Sequence, residues 1–240
     1  MNKFFRPNPR TNRLPTVCVF DLDHTLIGGD VTADWTPYLL KHKVVTDPRF
    51  IEVDQEMERR YIAGNLDIHD YLGEVVPFFG YLTIGELEQH VLDFISEYIA
   101  PTVYEEGLEV IREARRLGMD IMIISASNTF IVRPVGERLF GIAESYGVDL
   151  KIENNHLTGT VIGVPPFQEG KIDCCREKLA ALGKTLDDVV FFTDSRNDLP
   201  LARAAGDCYC VNPDEVLREA ALENGWPILT WQREKRFKDA

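Results

Sequence analysis

The feature that most constrains this chain is an apolar run, Val17–Phe20, followed directly by two acids, Asp21 and Asp23, spaced two positions apart. Such a run is typical of a strand buried in a parallel sheet, and ligands bind at the carboxyl ends of those strands. Two carboxylates that converge there would repel each other unless a divalent cation or a lysine shares the pocket. The alternative is an acidic turn that caps the following helix.

Two further segments, residues 119–124 and 189–192, are largely apolar, as expected for buried strands. Lys171 lies between them in the sequence and follows Gly170 at a predicted helix start, where an ammonium would bind an anion. These segments supply hydroxyl, amide, ammonium and carboxylate groups that suit a phosphate and a cation. The residues that carry these groups are Ser125, Ala126, Lys171, Asp194, Asn197 and Asp198.

The order of these acidic, hydroxyl and lysine residues along the chain resembles that of the haloacid dehalogenase superfamily. The four sequence motifs of that superfamily correspond here to residues 21–25, Ser125, Lys171 and residues 194–198. The resemblance is to its phosphatases, in the phosphoserine-phosphatase-like subgroup, which has a helical cap between the first two motifs. Within that subgroup the chain is most similar to bacterial proteins described as histidinol-phosphatase-like. The segments that carry this finer similarity are residues 26–30, 163–165 and 194–200.

The resemblance implies a Mg²⁺-dependent phosphomonoesterase that acts on a small-molecule phosphate ester through an aspartyl-phosphate intermediate. Asp21 would be the nucleophile, and Asp23 would be the general acid and then the general base. The implied metal ligands are Asp21, the backbone carbonyl of Asp23, and Asp194. Asp198 would order the water around the metal and pair with Lys171. The implied phosphate-binding residues are Ser125, Ala126, Lys171 and Asn197.

The sequence predicts an α/β fold, a doubly wound parallel sheet of the Rossmann-like kind with an inserted all-helical cap. Strand-like runs alternate with helical patterns except over residues 31–101, where four helical patterns follow one another. We therefore predict a flexible N-terminal arm at residues 1–14, a catalytic core at residues 15–30 and 102–240, and a cap at residues 31–101. Alternating residues around Asn154 and Asn155 predict a β-hairpin.

Charge and composition exclude several classes of protein. A net charge of −13 argues against nucleic-acid binding, which requires a basic surface. No apolar stretch reaches the length of a membrane span, so no membrane partner is expected. The five cysteines lack zinc-binding spacing, which favours reduced thiols in a cytoplasmic protein. The oligomeric state does not follow from the sequence.

The substrate is less constrained than the chemistry. By resemblance, Asp30 holds the position of the acid that binds the substrate ammonium in phosphoserine phosphatases, although it could equally cap the next helix. Matching residues 64–68 to the family's cap places Val75 where an arginine binds the substrate carboxylate. Phosphoserine should then be a poor substrate, unless Arg59 or Arg60 replaces that arginine. An amino-alcohol phosphate such as histidinol phosphate is therefore the preferred prediction.

Other functions stay open at this point. A phosphoserine phosphatase or a broad-specificity phosphatase would carry the same motifs, and a phosphotransferase or mutase shares both acids of the first motif. A non-catalytic binding protein would have lost a motif residue, whereas all are present. The aromatic residues of the cap either line a pocket that stacks on an imidazole or form the core of the cap. These residues are Trp35, Tyr38, Phe78, Phe79 and Tyr81.

Overall fold

A seven-stranded sheet organises the computed structural model, which describes residues 4–62 and 67–232. The strands are β1 (Val17–Phe20), β2 (Asp120–Asn128), β3 (Ser145–Glu153), β4 (His156–Ile162), β5 (Val189–Thr193), β6 (Asp207–Val211) and β7 (Ile228–Leu229). Their spatial order is β4-β3-β2-β1-β5-β6-β7. Neighbouring strands pair in parallel, apart from β3 and β4, which form an antiparallel hairpin. The first motif therefore lies at the end of the central strand.

Helices cover both faces of this sheet. They are α1 (Val31–Lys41), α2 (Arg49–Ile62), α3 (Ile68–Val75), α4 (Ile84–Phe94), α5 (Glu105–Arg116), α6 (Thr129–Val135), α7 (Glu169–Ala181), α8 (Leu199–Ala204) and α9 (Glu215–Asn224). On β1, Val17 and Val19 pack in one hydrophobic cluster with residues of α7, α8 and α9. Cys18 and Phe20 pack in a second cluster with residues of α5, α6 and the α1–α4 region. Both faces of the strand are thus buried, as its uninterrupted apolar run predicts.

Helices α1 to α4 follow one another between β1 and β2 without an intervening strand. Asp30 caps α1, and Thr83 and Glu86 form the capping box that opens α4. After α4 the chain continues through a π-helical turn, Ile95–Ile99, and a 3₁₀ turn, Ala100–Thr102, before α5. The predicted α/β fold with a doubly wound parallel sheet and an inserted helical cap is confirmed.

The β3–β4 hairpin joins the cap to the core. Asn154 and Asn155 both adopt positive φ, 50° and 68°, which is the geometry of a two-residue hairpin turn. A side chain at Gly159 on β4 would lie 2.6 Å from the carbonyl oxygen of Leu72 on α3, so the strand and the helix touch through their backbones. His156 also forms a bridge with Thr83 at the start of α4. The cap is therefore attached at points other than its two covalent linkers.

The segment before β1 packs against the core from residue 4 onward. Phe5 is buried and contacts the edge of Phe192, and the Arg6 guanidinium donates two hydrogen bonds of 2.6 Å to the Asp207 carboxylate. Asn8 donates to the backbone carbonyl of residue 187. Within residues 1–14, the predicted flexible arm, the side chains of Phe5, Arg6 and Asn8 therefore contact the core. Residues 1–3 lie outside the described part.

Across residues 4–62 and 67–232, no helix has the length and apolar character that a bilayer span requires.

Candidate active site

The end of β1 meets the end of β5 at the centre of the candidate site. Phe20 and Phe192 are partners in the parallel register, and the Asp21 N–H then donates to the carbonyl oxygen of Phe192 at 2.9 Å. The Asp21 side chain is buried. Because this backbone bond extends the sheet by one residue, the position of Asp21 is set by the register of the two strands rather than by a loop.

Lys171 reaches this point from the first turn of α7. Its side chain is 2% exposed, and Nζ lies 2.9 Å from Asp21 Oδ1 and 2.6 Å from Asp198 Oδ1. A side chain at Gly170 would lie 2.1 Å from the carbonyl oxygen of Pro165, so only glycine lets α7 start this close to the preceding loop. Burial alone would lower the pKa of Lys171, but the charges of Asp198 and Asp21 outweigh burial and raise it. The ammonium is therefore charged.

The acids that follow β5 are held by two threonines. Thr193 donates to Asp198 Oδ2 at 2.7 Å, and Thr25, in the turn after β1, donates to Asp194 Oδ1 at 3.1 Å. Burial raises the pKa of Asp194 well above its usual value, and the charges of Asp21 and Asp198 raise it further. Burial likewise raises the pKa of Asp21 to about 6, against the opposing effect of Lys171. One ammonium is thus too little positive charge for these buried carboxylates.

Asp23 is held by donors from both the core and the cap. Its Oδ1 accepts the backbone N–H of Val31, the first residue of α1, at 2.8 Å. Its Oδ2 accepts the hydroxyls of Ser125 and Ser127 at 3.1 Å and 2.8 Å. Burial raises the pKa of Asp23 well above its usual value, and the charges of Asp30 and Asp21 raise it further. These effects favour the protonated form of the carboxyl group, whereas the hydrogen bonds from Val31 and Ser127 oppose them.

These side chains open onto one cavity of about 330 Å³ between the core and the cap. Among the residues predicted from the sequence, those that line it are Asp21, Asp23, Asp30, Ala126, Lys171, Asp194, Asn197 and Asp198. Ser125 is fully buried behind Asp23 and does not line the cavity, whereas its neighbour Ser127 does. The role of Ser125 in phosphate binding thus stays a prediction, and its observed contacts hold Asp23 and the Ser127 amide.

Asp30 both caps a helix, which is one of its two predicted roles, and lines the cavity. Its Oδ1 accepts the backbone N–H groups of Thr32 and Ala33, at 2.8 Å and 2.9 Å, which is an N-cap of α1. The same side chain lines the cavity. Because one oxygen accepts both helix amides, the second oxygen is not used by the cap.

Sequence reasoning missed several residues that line the cavity. Among them are Asp54 on α2, Tyr71 on α3, Asn128 at the end of β2 and Phe167 before α7. None belongs to a motif, and the only signal was that each lies on or beside a predicted element near the site. Of the aromatic residues for which pocket lining and cap core were the alternatives, three form the core of the cap, because they are almost fully buried and their rings contact one another. These three are Trp35, Tyr38 and Phe79.

The predicted alternatives for a carboxylate-binding arginine do not reach the cavity. Arg59 and Arg60 both form ion pairs with Glu56 on the same helix, and neither lines the cavity. Val75 is buried in the core cluster. Of the segment matched to the family's cap, residues 64–66 lie outside the described residues.

Comparison with known proteins agrees with this geometry. The model of the haloacid dehalogenase-like hydrolase family matches residues 18–203. A protein named histidinol-phosphatase from Neisseria meningitidis serogroup C is 34% identical over 224 residues, covering 91% of this chain and 100% of the relative. A solved structure described as a protein with unknown function from Bordetella pertussis Tohama I has a TM-score of 0.82 at 28% identity, covering 89% of this chain and 97% of that one. A substrate-bound phosphoserine phosphatase has a TM-score of 0.64 at 21% identity, covering 92% and 95%, and shows the shared fold alone.

The chain therefore belongs to the haloacid dehalogenase-like hydrolase family. Within that family, the predicted enzyme class, a phosphoric monoester hydrolase, is confirmed by the family match together with the relatives named as phosphatases.

Proposed function

We propose that this enzyme is a Mg²⁺-dependent phosphomonoesterase that forms an aspartyl-phosphate on Asp21. The observation that carries the proposal is the buried ion-pair network in the cavity wall, where Lys171 Nζ lies within 2.9 Å of Asp21 and 2.6 Å of Asp198. The substrate we propose is a small phosphorylated amino alcohol, with histidinol phosphate as the preferred candidate. We place the enzyme in the cytoplasm, a location supported by five free cysteines, of which four are buried.

Asp21 is suited to the role of nucleophile. A pKa of about 6 leaves most of its carboxylate ionised at neutral pH, so no separate base is needed to activate it. One carboxylate oxygen would form a bond to phosphorus while the bond from phosphorus to the leaving alkoxide breaks. Lys171 orients the carboxylate through Oδ1 and supplies positive charge next to the phosphoryl oxygens, where charge must be stabilised.

Asp23 is suited to the proton transfers. Because burial and the charges of Asp30 and Asp21 raise its pKa, its protonated form is favoured, and that form can donate a proton to the alkoxide as the alcohol leaves. The resulting carboxylate can then accept a proton from the water that attacks the aspartyl-phosphate, which releases inorganic phosphate and restores Asp21. Ser125, Ser127 and the Val31 N–H hold Asp23 in position through both steps.

The donor chemistry of the site fits a hard divalent cation. Six aspartates and one lysine are among the described residues that line the cavity, and oxygen ligands are those that Mg²⁺ prefers. The residues that would hold it are Asp21, Asp194 and the backbone carbonyl of Asp23, with Asp198 in support. No three His, Cys, Asp or Glu side chains of residues 4–62 and 67–232 form a metal site by themselves. The proposed set needs only two such side chains, and bound Mg²⁺ would offset the charge of the carboxylates and the phosphate.

The cap side of the cavity supports an amine-bearing substrate without a carboxylate. Asp30 and Asp54 line it from the cap, and Lys171 is the only lysine or arginine among its described lining residues. An anionic head group would therefore meet negative charge with no guanidinium to bind it. Histidinol phosphate is preferred because the relative from Neisseria meningitidis that bears the name histidinol-phosphatase matches 91% of this chain.

The test is phosphate release from histidinol phosphate, phosphoethanolamine, phosphoserine and an aryl phosphate, with added Mg²⁺ or with EDTA. We expect turnover that requires Mg²⁺, with kcat/KM for histidinol phosphate at least about 10-fold above that for phosphoserine. Asp21→Asn should abolish turnover of all four compounds, whereas Asp173→Asn, an exposed control on α7, should not change it.

Each other outcome has a distinct meaning. Metal-dependent turnover of the aryl phosphate alone would support the proposed phosphatase mechanism and reject the proposed amino-alcohol phosphate substrate. Preference for phosphoserine would assign the enzyme to that alternative function. Full activity in Asp21→Asn would reject the aspartyl-phosphate mechanism.

A further inference from the structure

Two residues of the cap line the cavity without a part in the chemistry described so far. Asp54 lies on α2 and Tyr71 lies on α3, so the two come from different helices of the cap. Thr36 on α1 donates a hydrogen bond of 2.9 Å to Asp54 Oδ1. This bond ties the carboxylate to a third helix and fixes its position in the cavity wall.

Tyr71 lines the same cavity as Asp54 and Asp30. Burial raises the pKa of the Tyr71 hydroxyl, and the charges of Asp54 and then Asp30 raise it further. The hydroxyl therefore stays protonated. Two carboxylates and one hydroxyl thus line one cavity with their charges acting on each other, and together they would attract a group that carries positive charge and N–H donors.

A core residue adds an independent observation. Asn128 is 7% exposed and lines the same cavity, and its Oδ1 atom has no hydrogen-bond partner. It occupies the N-cap position of α6, yet its side chain makes no capping bond. A buried acceptor without a donor is unfavourable, so the cavity offers a place where an N–H group of a ligand would gain a hydrogen bond.

The net charge of the cavity lining also favours a ligand with a positive group. Six of its described lining residues are aspartates, and the ammonium of Lys171 is already shared between Asp21 and Asp198. A phosphate ester brings more negative charge to the core side. A positive group elsewhere on the same substrate would offset part of this excess.

We propose that Asp54, assisted by Tyr71 and Asn128, forms a subsite that binds the cationic end of the substrate. Asp54 is then a specificity-determining residue, and the substrate class is a phosphate ester that carries an ammonium or imidazolium group and no neighbouring carboxylate. This inference rests on the proposed phosphatase function, and it does not require that the substrate be histidinol phosphate.

The test compares two substrates that differ in one group. Phosphoethanolamine and propyl phosphate have the same chain length, but the first ends in an ammonium and the second in a methyl group. The ratio of their kcat/KM values defines the cation preference of the enzyme. We expect the wild-type protein to prefer phosphoethanolamine, and Asp54→Asn to lower that preference at least about 10-fold, chiefly through KM. Tyr71→Phe should lower it by a smaller factor.

Controls separate charge from folding. The amide in Asp54→Asn can still accept the Thr36 hydrogen bond, and thermal unfolding would report any loss of stability. Asp70→Asn removes an exposed carboxylate from α3 and should leave the cation preference unchanged.

An unchanged cation preference in both Asp54→Asn and Tyr71→Phe would overturn the subsite, as would a wild-type ratio near one. Absence of turnover of every phosphate ester by the wild-type protein with Mg²⁺ is a different result, because it would reject the phosphatase function itself.

Discussion

The two sides of the cavity are built in different ways. On the core side, Asp21, Lys171 and Asp198 are locked by ion pairs and by the register of β1 with β5. On the cap side, the lining residues come from helices that are held by packing against the β3–β4 hairpin and by a few polar contacts, such as the hydrogen bond between the Thr32 and Ser127 hydroxyls. The pairing of neighbouring strands constrains the core side directly, whereas the cap side depends on how the helices pack.

We expect the two sides of the cavity to have different functions, with the core side responsible for the reaction and the cap side for substrate selectivity. In the proposed mechanism, the groups of the core side act on phosphorus and on the leaving oxygen, so any phosphate ester would need them. The cap side would contact the substituents of the alcohol part of the substrate. Substitutions on the core side should therefore affect all substrates equally, and substitutions on the cap side should change the ranking of substrates.

The largest expected effect is on the core side. Lys171→Ala leaves the buried Asp21 and Asp198 carboxylates without their shared ammonium and removes positive charge from beside the phosphoryl group. We expect kcat to fall about 10²–10³-fold, by the same factor for cationic and uncharged substrates. Steady-state kinetics on both substrate types measure this. Lys178→Ala, on the same helix and paired with Glu177, is the matched control. A loss confined to one substrate type would break the proposed division between the two sides.

A smaller effect is expected at Asp30, where two substitutions distinguish its two roles. Asp30→Asn keeps an oxygen that can cap α1 but removes the charge, so the cation preference should fall about 10-fold with little change in stability. Asp30→Ala also removes the cap and should lower the free energy of unfolding by about 1 kcal/mol. Urea unfolding and the two-substrate ratio measure these effects. If Asp30→Asn leaves the ratio unchanged, Asp30 is a helix cap only.

The smallest effect on turnover is expected where the hairpin meets the cap. Gly159→Ala places a methyl group against the backbone of α3, so the helix must shift. We expect KM to rise a few-fold with kcat nearly unchanged, and stability to fall by about 1–3 kcal/mol. Gly85→Ala, which meets no atom within 4 Å, is the control for adding a methyl group in the cap. A fall in kcat with an unchanged KM would show that the cap also positions the reacting groups.

Much of the core side could be predicted from the sequence, because its acids lie within five residues after strands that apolar runs define. The hairpin at Asn154 and Asn155 was predictable for a similar reason, since a two-residue turn with positive φ has a local signature. Asp54 and Tyr71 could not be predicted. They lie on amphipathic helices, where the residues that face a cavity depend on the packing of the helix.

Two further features also required the tertiary structure. Ser125 lies inside β2, which extends beyond the apolar run to Asn128. Its hydroxyl bonds to Asp23 rather than lining the cavity, because the direction of a side chain depends on its neighbours. The basic N-terminal segment was predicted to be flexible, but Arg6 donates hydrogen bonds to Asp207, which lies 201 residues later in the chain.

The family, the enzyme class and the acids and lysine on the core side of the cavity were predictable from the amino-acid sequence alone. These follow from short-range patterns of strand, acid, hydroxyl and lysine, which any fold with parallel strands places at one edge of the sheet. Only the tertiary structure decided which side chains form the far wall of the cavity. That wall joins α1, α2, α3 and β2, segments far apart in the chain, and their relative positions are set by packing rather than by local sequence.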